Sequence, residues 1–380
     1  MTTRLRAALV AATAVALSAA LAGPAIAAPP AGDGGHEATR RAMRAAVEDG
    51  APGVTARAQD ARGTWSAAEG VGDLATGQPR SARDRYRVGS ITKTFVATVL
   101  LQLEAEGRLS LDDTVEKWLP GVVRGNGHDG SRITVRRLLN HTSGIFNYTA
   151  DPEFGRTHFL RDGFFEHRHD TVPPEELVAV ALSHAPDFAP GTSWKYSNTN
   201  YVLAGLVIEK VTGRPYAEEV RRRIIGPLKL RATSVPGTRV TVPRPSSRAY
   251  SKLAETTTGP TYDVTNLNPS IAYAAGEMIS DSADLNRFYT ALLRGRLLPV
   301  GQLAEMTATV PLDEKRSYGL GLMKARLSCG VTVWGHDGGI HGSASQAVTT
   351  EDGRHSLAFN LNGDWAGDTE AVVEAEFCRK

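Results

Sequence analysis

Three short stretches carry side chains that could do chemistry together. Ser90-Ile-Thr-Lys93 is the only Ser-x-x-Lys in the chain. With Ser90 at a helix start, Lys93 falls one turn on and faces the same side. Its amine can then accept or stabilise the hydroxyl proton, while the helix N-terminus favours the negative charge that develops. Tyr196-Ser-Asn198 is the only Tyr-x-Asn. A phenol beside a lysine can act as a base, and an asparagine amide can bond both a lysine and a substrate carbonyl. His336-Asp-Gly338 follows the run VTVW and continues as Gly339-Ile-His341, small residues that let a backbone N–H approach a ligand. The same tripeptide at His128-Asp-Gly130 lies in the loop GNGHDG with no strand before it, so position favours His336. Taken singly, these stretches read equally well as an N-cap serine with a surface lysine, a Tyr/Asn turn and a strand end. Their combination points to nucleophilic hydrolysis.

The elements that must position them follow from periodicity. Ser90 is expected to open a helix whose apolar face is Val96, Val99, Leu100 and Leu103, closed by Gly107. Residues 38–48 read as a helix, and 54–59 and 64–69 as a hairpin turning at Asp60-Ala-Arg-Gly63. The stretch 111–268 is mostly helix and loop, with helices expected over 134–140, 174–183, 199–211 and 216–225. A further helix is expected over 282–294, with Ser282 as its N-cap. Strands are expected over 318–325, 331–334, 344–349 and 355–361, then a terminal helix over 369–377. The fold class is therefore α+β: an antiparallel sheet built from both chain ends, flanked by N- and C-terminal helices, plus an all-helical domain. The boundaries are 38–110 and 269–380 for the α/β sandwich and 111–268 for the helical domain, with the site in the cleft between.

The chain has 380 residues, 41% hydrophobic and 22% charged, with Lys+Arg 43 against Asp+Glu 41. That composition excludes disorder, and without a basic block it gives no footprint for nucleic acid. Arg4 and Arg6 precede an apolar Ala-rich run, and Ala25-Ile-Ala27 offers a cleavage site, so residues 1–27 read as a signal peptide. Residues 28–37 read as a linker. Cleavage removes two arginines and no acids, leaving a neutral, secreted chain without stable membrane insertion. Cys329 and Cys378 are the only cysteines, and in an exported chain they are expected to pair as a disulfide. Gly125–Gly130 formally fits G-x-G-x-x-G but lacks the preceding strand and the later acidic partner of a dinucleotide site. Glu166-His-Arg-His-Asp170 has no matching ligand cluster, and neither G-x-S-x-G nor H-E-x-x-H occurs. No metal and no cofactor is expected.

In order and context the three motifs resemble those of the penicillin-recognising serine hydrolases. The chain is similar to the branch that holds class C β-lactamases, and more closely to secreted serine D-alanyl-D-alanine carboxypeptidases. The likeness runs from about residue 38 to the end, through RYRVGSITKTF, LLNHTSGI at 138–145, YSNTNYVLAGLVIEKVTG at 196–213, SYGLGL at 317–322 and SCGVTVWGHDG at 328–338. It implies an acylated nucleophile at Ser90, proton handling by Lys93 and Tyr196, and a scissile amide positioned by Asn198. His336 would stand for the commoner lysine, with hydrogen bonding and part-time charge. The N–H groups of Ser90 and Gly339 would form the oxyanion hole, and Asp337 and Gly338 would contact substrate. It further implies a small peptide, β-lactam or ester as substrate, and a monomer.

The pattern breaks in two places. Asp337 stands where the family has Thr or Ser, and Gly339 where a hydroxyl residue commonly follows the glycine. The arginine that holds a substrate carboxylate in carboxypeptidases falls on Met323, with Lys324 and Arg326 offset. If Asp337 faced the substrate, two carboxylates about 4 Å apart would repel by roughly 4 kcal/mol at an effective dielectric of 20. The expectation is that acyl-enzyme chemistry is kept while recognition of a free C-terminal carboxylate is weakened, in favour of esters or amides. The alternative is that Asp337 turns outward and Arg326 supplies the charge.

Overall fold

Strand β8 (Ser356–Leu361) shows why this chain builds a sandwich. Its residues alternate, and every one is buried: Leu357, Phe359 and Leu361 face one apolar cluster, and Ala358 faces another. Both faces of the sheet must therefore be covered. The computed structural model describes residues 35–378, so the expected signal peptide and most of the expected linker lie outside the described residues.

The sheet has eight antiparallel strands. β1 (Gly53–Asp60) and β2 (Gly63–Gly70) come from the N-terminal side. β3 (Val310–Pro311), β4 (Arg316–Tyr318), β5 (Met323–Arg326), β6 (Thr332–Ile340), β7 (Ser343–Thr350) and β8 come from the C-terminal side. Their order is β2-β1-β8-β7-β6-β5-β4-β3, so β8 pairs with β1 and joins the two ends of the chain. Helices α1 (Glu37–Glu48) and α5 (Thr369–Phe377) bring Met43, Val372 and Val373 to the face of Leu357 and Phe359. The other face meets α4 (Ser282–Leu293), whose Leu285 and Phe288 join a larger core. That core continues through α2 (Thr92–Ala105) and α3 (Asn198–Thr212), two helices buried nearly all round. The described residues form one compact unit.

Local chemistry overrides three expectations. The single strand expected over 318–325 is two strands, because Gly319 N–H bonds Leu322 O in a turn between them. The strand expected to end at 334 runs on to Ile340, which places His336 mid-strand. Helix α4 is capped by Asp281, whose carboxylate accepts from Asp284 N–H, and not by Ser282, whose hydroxyl bonds the buried Tyr86 hydroxyl at 2.8 Å.

Two devices tie the ends together. Cys329 and Cys378 form the expected disulfide, worth about 4 kcal/mol on the chain-entropy model. Glu376, fully buried on α5, bonds Thr39 Oγ1 at 2.6 Å, His36 Nδ1 at 2.9 Å and His355 Nε2 at 2.6 Å. Replacing it removes a hydrogen-bond partner from the buried His36 and Thr39 and from the half-buried His355 at once. Glu376→Ala is expected to lower the free energy of unfolding by about 3 kcal/mol in a denaturant titration; a loss below about 1 kcal/mol would refute this role.

Candidate active site

Ser90 sits at the middle of a single 3-10 turn, Gly89–Ile91, that leads directly into α2, so it stands at the helix start as expected, two residues ahead of the first α-helical residue. Gly89 has φ +52°, and a Cβ there would lie 2.7 Å from the Gly339 carbonyl oxygen and 2.8 Å from its nitrogen. At Gly338 a Cβ would come within 1.9 Å of Val88 O and 3.0 Å of Ser90 N. The nucleophile turn and strand β6 thus touch backbone to backbone, which only glycine permits. Ser90 and Gly339 consequently line one cavity of about 450 Å³, together with Tyr148, Thr149, Asn198 and Trp365.

Lys93 lies beneath Ser90 with no exposed surface. Its Nζ is 2.9 Å from Ser90 Oγ, 2.8 Å from Asn198 Oδ1 and 2.7 Å from the Ala275 carbonyl oxygen. Asn198 is held at its other end as well: its Nδ2 donates to Thr149 Oγ1 at 3.2 Å, and its backbone N–H donates to Asn147 Oδ1 at 3.0 Å. Tyr196 shares a hydrogen bond with the Ser90 hydroxyl, and its ring centroid lies 4.8 Å from Lys93 Nζ. Hydroxyl, amine, phenol and amide therefore converge from α2, the loop before α3 and the start of α3.

Burial shifts these groups in opposite directions. It pulls the Lys93 amine well below its ordinary value, opposed only by the Asp337 carboxylate. It pushes the Tyr196 phenol well above 10, with Asp337 adding to the rise and the Ser90 hydrogen bond opposing it. A neutral amine suits the geometry. Two carbonyl oxygens, which can only accept, take its two N–H bonds, leaving the lone pair for Ser90.

The third motif is placed differently from expectation. His336 is buried, and its Nε2 lies 2.8 Å from the Tyr318 hydroxyl, away from the cavity lining. Burial lowers its pKa, with Asp337 opposing, so the expected part-time charge gives way to a neutral ring. The Asp337 side chain is 65% exposed and lies outside the Ser90 cavity. Adjacent strand residues face opposite ways, and with His336 buried Asp337 must turn out. Gly338 serves as packing surface beneath Val88 and Ser90 and does not line the cavity. Arg326 is exposed and also lies outside it, so the alternative in which it supplies the charge fails as well.

Two residues without an assigned role belong to the site. His141, fully buried at φ +62°, lies 4.3 Å from the Tyr196 ring, and its neighbour Tyr318 reaches His336. Their signal was present in LLNHTSGI and SYGLGL, but no spacing rule connects the two. Among the described residues, the one acidic and sulfur cluster tight enough for a metal is Cys329, Glu374 and Cys378, whose sulfurs are spent in the disulfide.

Comparison with known proteins agrees with this site. The family model described as Beta-lactamase matches residues 39–371. The structure of a D-stereospecific amidohydrolase from Streptomyces sp. is 64% identical, with a TM-score of 0.87 over 91% of this chain and 99% of that one. A D-amino acid amidase from Ochrobactrum anthropi SV3, solved with L-phenylalanine amide, is 29% identical, with a TM-score of 0.76 over 89% and 97%. Penicillin-binding protein 4* of Bacillus subtilis is 26% identical over 318 residues, 80% of this chain but 66% of that protein's own length.

The Asn198 contact sets the pH dependence. Asn198→Asp places a carboxylate on Lys93 and favours its protonated form, so the acid limb of the kcat/KM profile should move up by about 1–3 pH units. An unmoved limb would mean that Lys93 is not the group titrating there.

Proposed function

The chain belongs to the beta-lactamase family, and on that premise we propose that it is an exported D-stereospecific amidase acting through an ester on Ser90. The observation that carries this reading is the charge of the cavity. Among the described residues lining it, Lys252 is the only lysine or arginine, and its Nζ is committed to Gly259 O and Thr261 Oγ1 over the Trp365 ring. The position of the carboxylate-binding arginine is Met323, and His336 is buried and neutral. A free C-terminal carboxylate would meet only this engaged ammonium and the acidic side chains of Glu255 and Asp364, whereas an amide needs no cation. Phe159, Ile271, Ile340 and Trp365 offer apolar walls for a side chain. The likeness to a D-stereospecific amidohydrolase and a D-amino acid amidase supports the same substrate class. The leader-like residues 1–27 and the disulfide support export.

The chemistry runs as follows. Ser90 Oγ attacks the amide carbonyl as its proton passes to the Lys93 lone pair. The carbonyl oxygen gathers charge between the N–H groups of Ser90 and Gly339, each donor worth about 3 kcal/mol of transition-state stabilisation. Tyr196, a phenol at rest, protonates the departing nitrogen, and the Lys93 ammonium, which lies over the Tyr196 ring, returns a proton to the phenolate. Water then cleaves the ester by the reverse flow.

A second reading, a D-alanyl-D-alanine carboxypeptidase, rests on the motif likeness and on the match to a penicillin-binding protein. Rates on D-phenylalanine amide, L-phenylalanine amide, and a D-Ala-D-Ala peptide with its C-terminal amide separate the two. We expect D over L and amide over free acid, with a Ser90 adduct visible by mass spectrometry. Ser90→Ala should lose at least about 10⁴-fold. A strong preference for the free acid would overturn the amidase reading.

A further inference from the structure

Four hydrogen bonds run in one line through the floor of the site. Ser197 N–H donates to His141 Nδ1 at 3.3 Å, with Asn200 Nδ2 donating to the same atom at 3.1 Å. His141 Nδ1 is therefore bare, and its proton sits on Nε2, 3.3 Å from the Tyr318 hydroxyl. At the far end, His336 Nδ1 lies 2.6 Å from the Asp337 carbonyl oxygen, which can only accept, so this nitrogen carries a proton. His336 Nε2 lies 2.8 Å from the Tyr318 hydroxyl, and in the uncharged ring that burial favours it is bare and accepts from that hydroxyl. With both imidazoles neutral, Tyr318 accepts from His141 and donates to His336, and all four bonds are satisfied. A second proton on His336 would force the Tyr318 O–H out of this line.

The line joins the two walls of the active site. It starts at Ser197, between Tyr196 and Asn198, and ends at Asp337, two residues before Gly339. Tyr318, His141 and His336 are all buried, so each unmade bond would cost the full desolvation of its partner.

We propose that His141 and Tyr318 are positioning residues. With His336 they hold the loop carrying Tyr196 and Asn198 in fixed register with the strand carrying Gly339, and they keep His336 in the uncharged Nδ1–H tautomer. This rests on the acyl-enzyme reading of Ser90 and adds that the third motif acts through alignment, without a cation. The charged and titratable groups facing His336 are Lys93 from α2, Tyr318 from β4, Tyr196 from the loop before α3, and Asp337 from its own strand. Burial opposes a second proton, Asp337 favours one, and the Tyr318 O–H is the donor that discriminates against it. Removing that donor should make His336 easier to protonate.

The test uses the whole secreted chain and p-nitrophenyl acetate, an ester that demands the Ser90 machinery but no D-amide specificity. Imidazole nitrogen NMR of the unmutated protein should show His141 as the Nε2–H tautomer and His336 as the Nδ1–H tautomer, both uncharged down to about pH 6. Tyr318→Phe should lower kcat about tenfold, change KM little, and move the acid limb of the pH profile upward. His141→Gln, which keeps a donor where Nε2 was, should retain more activity than His141→Asn, which does not. The opposite tautomer at either ring, a charged His336 at neutral pH, or a Tyr318→Phe rate within about twofold of wild type with an unshifted limb overturns the proposal. Should Tyr318→Phe fail to fold, the NMR assignment on the native protein still decides. Ester hydrolysis that survives Ser90→Ala would instead overturn the acyl-enzyme reading, whatever the tautomers.

Discussion

The site depends on one amine being kept dry. Lys93 has no exposed surface, yet each direction around its nitrogen is filled: Ser90, Asn198 and the Ala275 carbonyl. Water would hold such a group as an ammonium. Burial removes that support, and the two carbonyl acceptors keep the N–H bonds satisfied without supplying a negative charge. What is left is a lone pair beside a hydroxyl. Every layer of the structure serves that arrangement: α2 is apolar almost all round, α3 delivers Asn198, and the short helix Tyr273–Gly276 delivers Ala275.

A second constraint is how closely two backbones approach. The nucleophile turn and strand β6 meet through Gly89 and Gly338, where any Cβ would overlap a main-chain atom. The segment on the other side is stitched just as firmly, since Met278 N–H bonds Thr92 Oγ1, and Met278 O accepts from Val88 N–H. Ser90 is thus fixed from both sides by main-chain contacts, which hold the oxyanion donors in place before substrate arrives. The sandwich beneath supplies rigidity, with its disulfide and the buried Glu376 closing the chain ends onto the sheet.

Charge then narrows the choice of substrate. Replacing a cationic third motif by a buried, neutral histidine removes the attraction for a carboxylate, and turning Asp337 outward removes the repulsion that would have followed had it faced inward. The proposed preference against a free acid was anticipated from Asp337 in the wrong orientation. On that proposal its source is the absence of an arginine or charged third motif at the Ser90 cavity, where Met323 and a buried His336 stand.

What the sequence determined by itself was whatever depends on covalent spacing. One helical turn puts Lys93 beside Ser90, a period of two sends Leu357 and Phe359 to one face of β8, and a lone cysteine pair has one partner choice. The family likeness supplied the convergence of Tyr196 and Asn198 on that pair. The tertiary structure alone decided the protonation states and the orientations, because both are set by groups far away in the chain. Burial favours the neutral amine of Lys93, His141 is linked to His336 through Tyr318, and Tyr86 takes the Ser282 hydroxyl so that Asp281 must cap α4. Local spacing says which side chains can meet; desolvation and long-range hydrogen bonds decide what they are when they do.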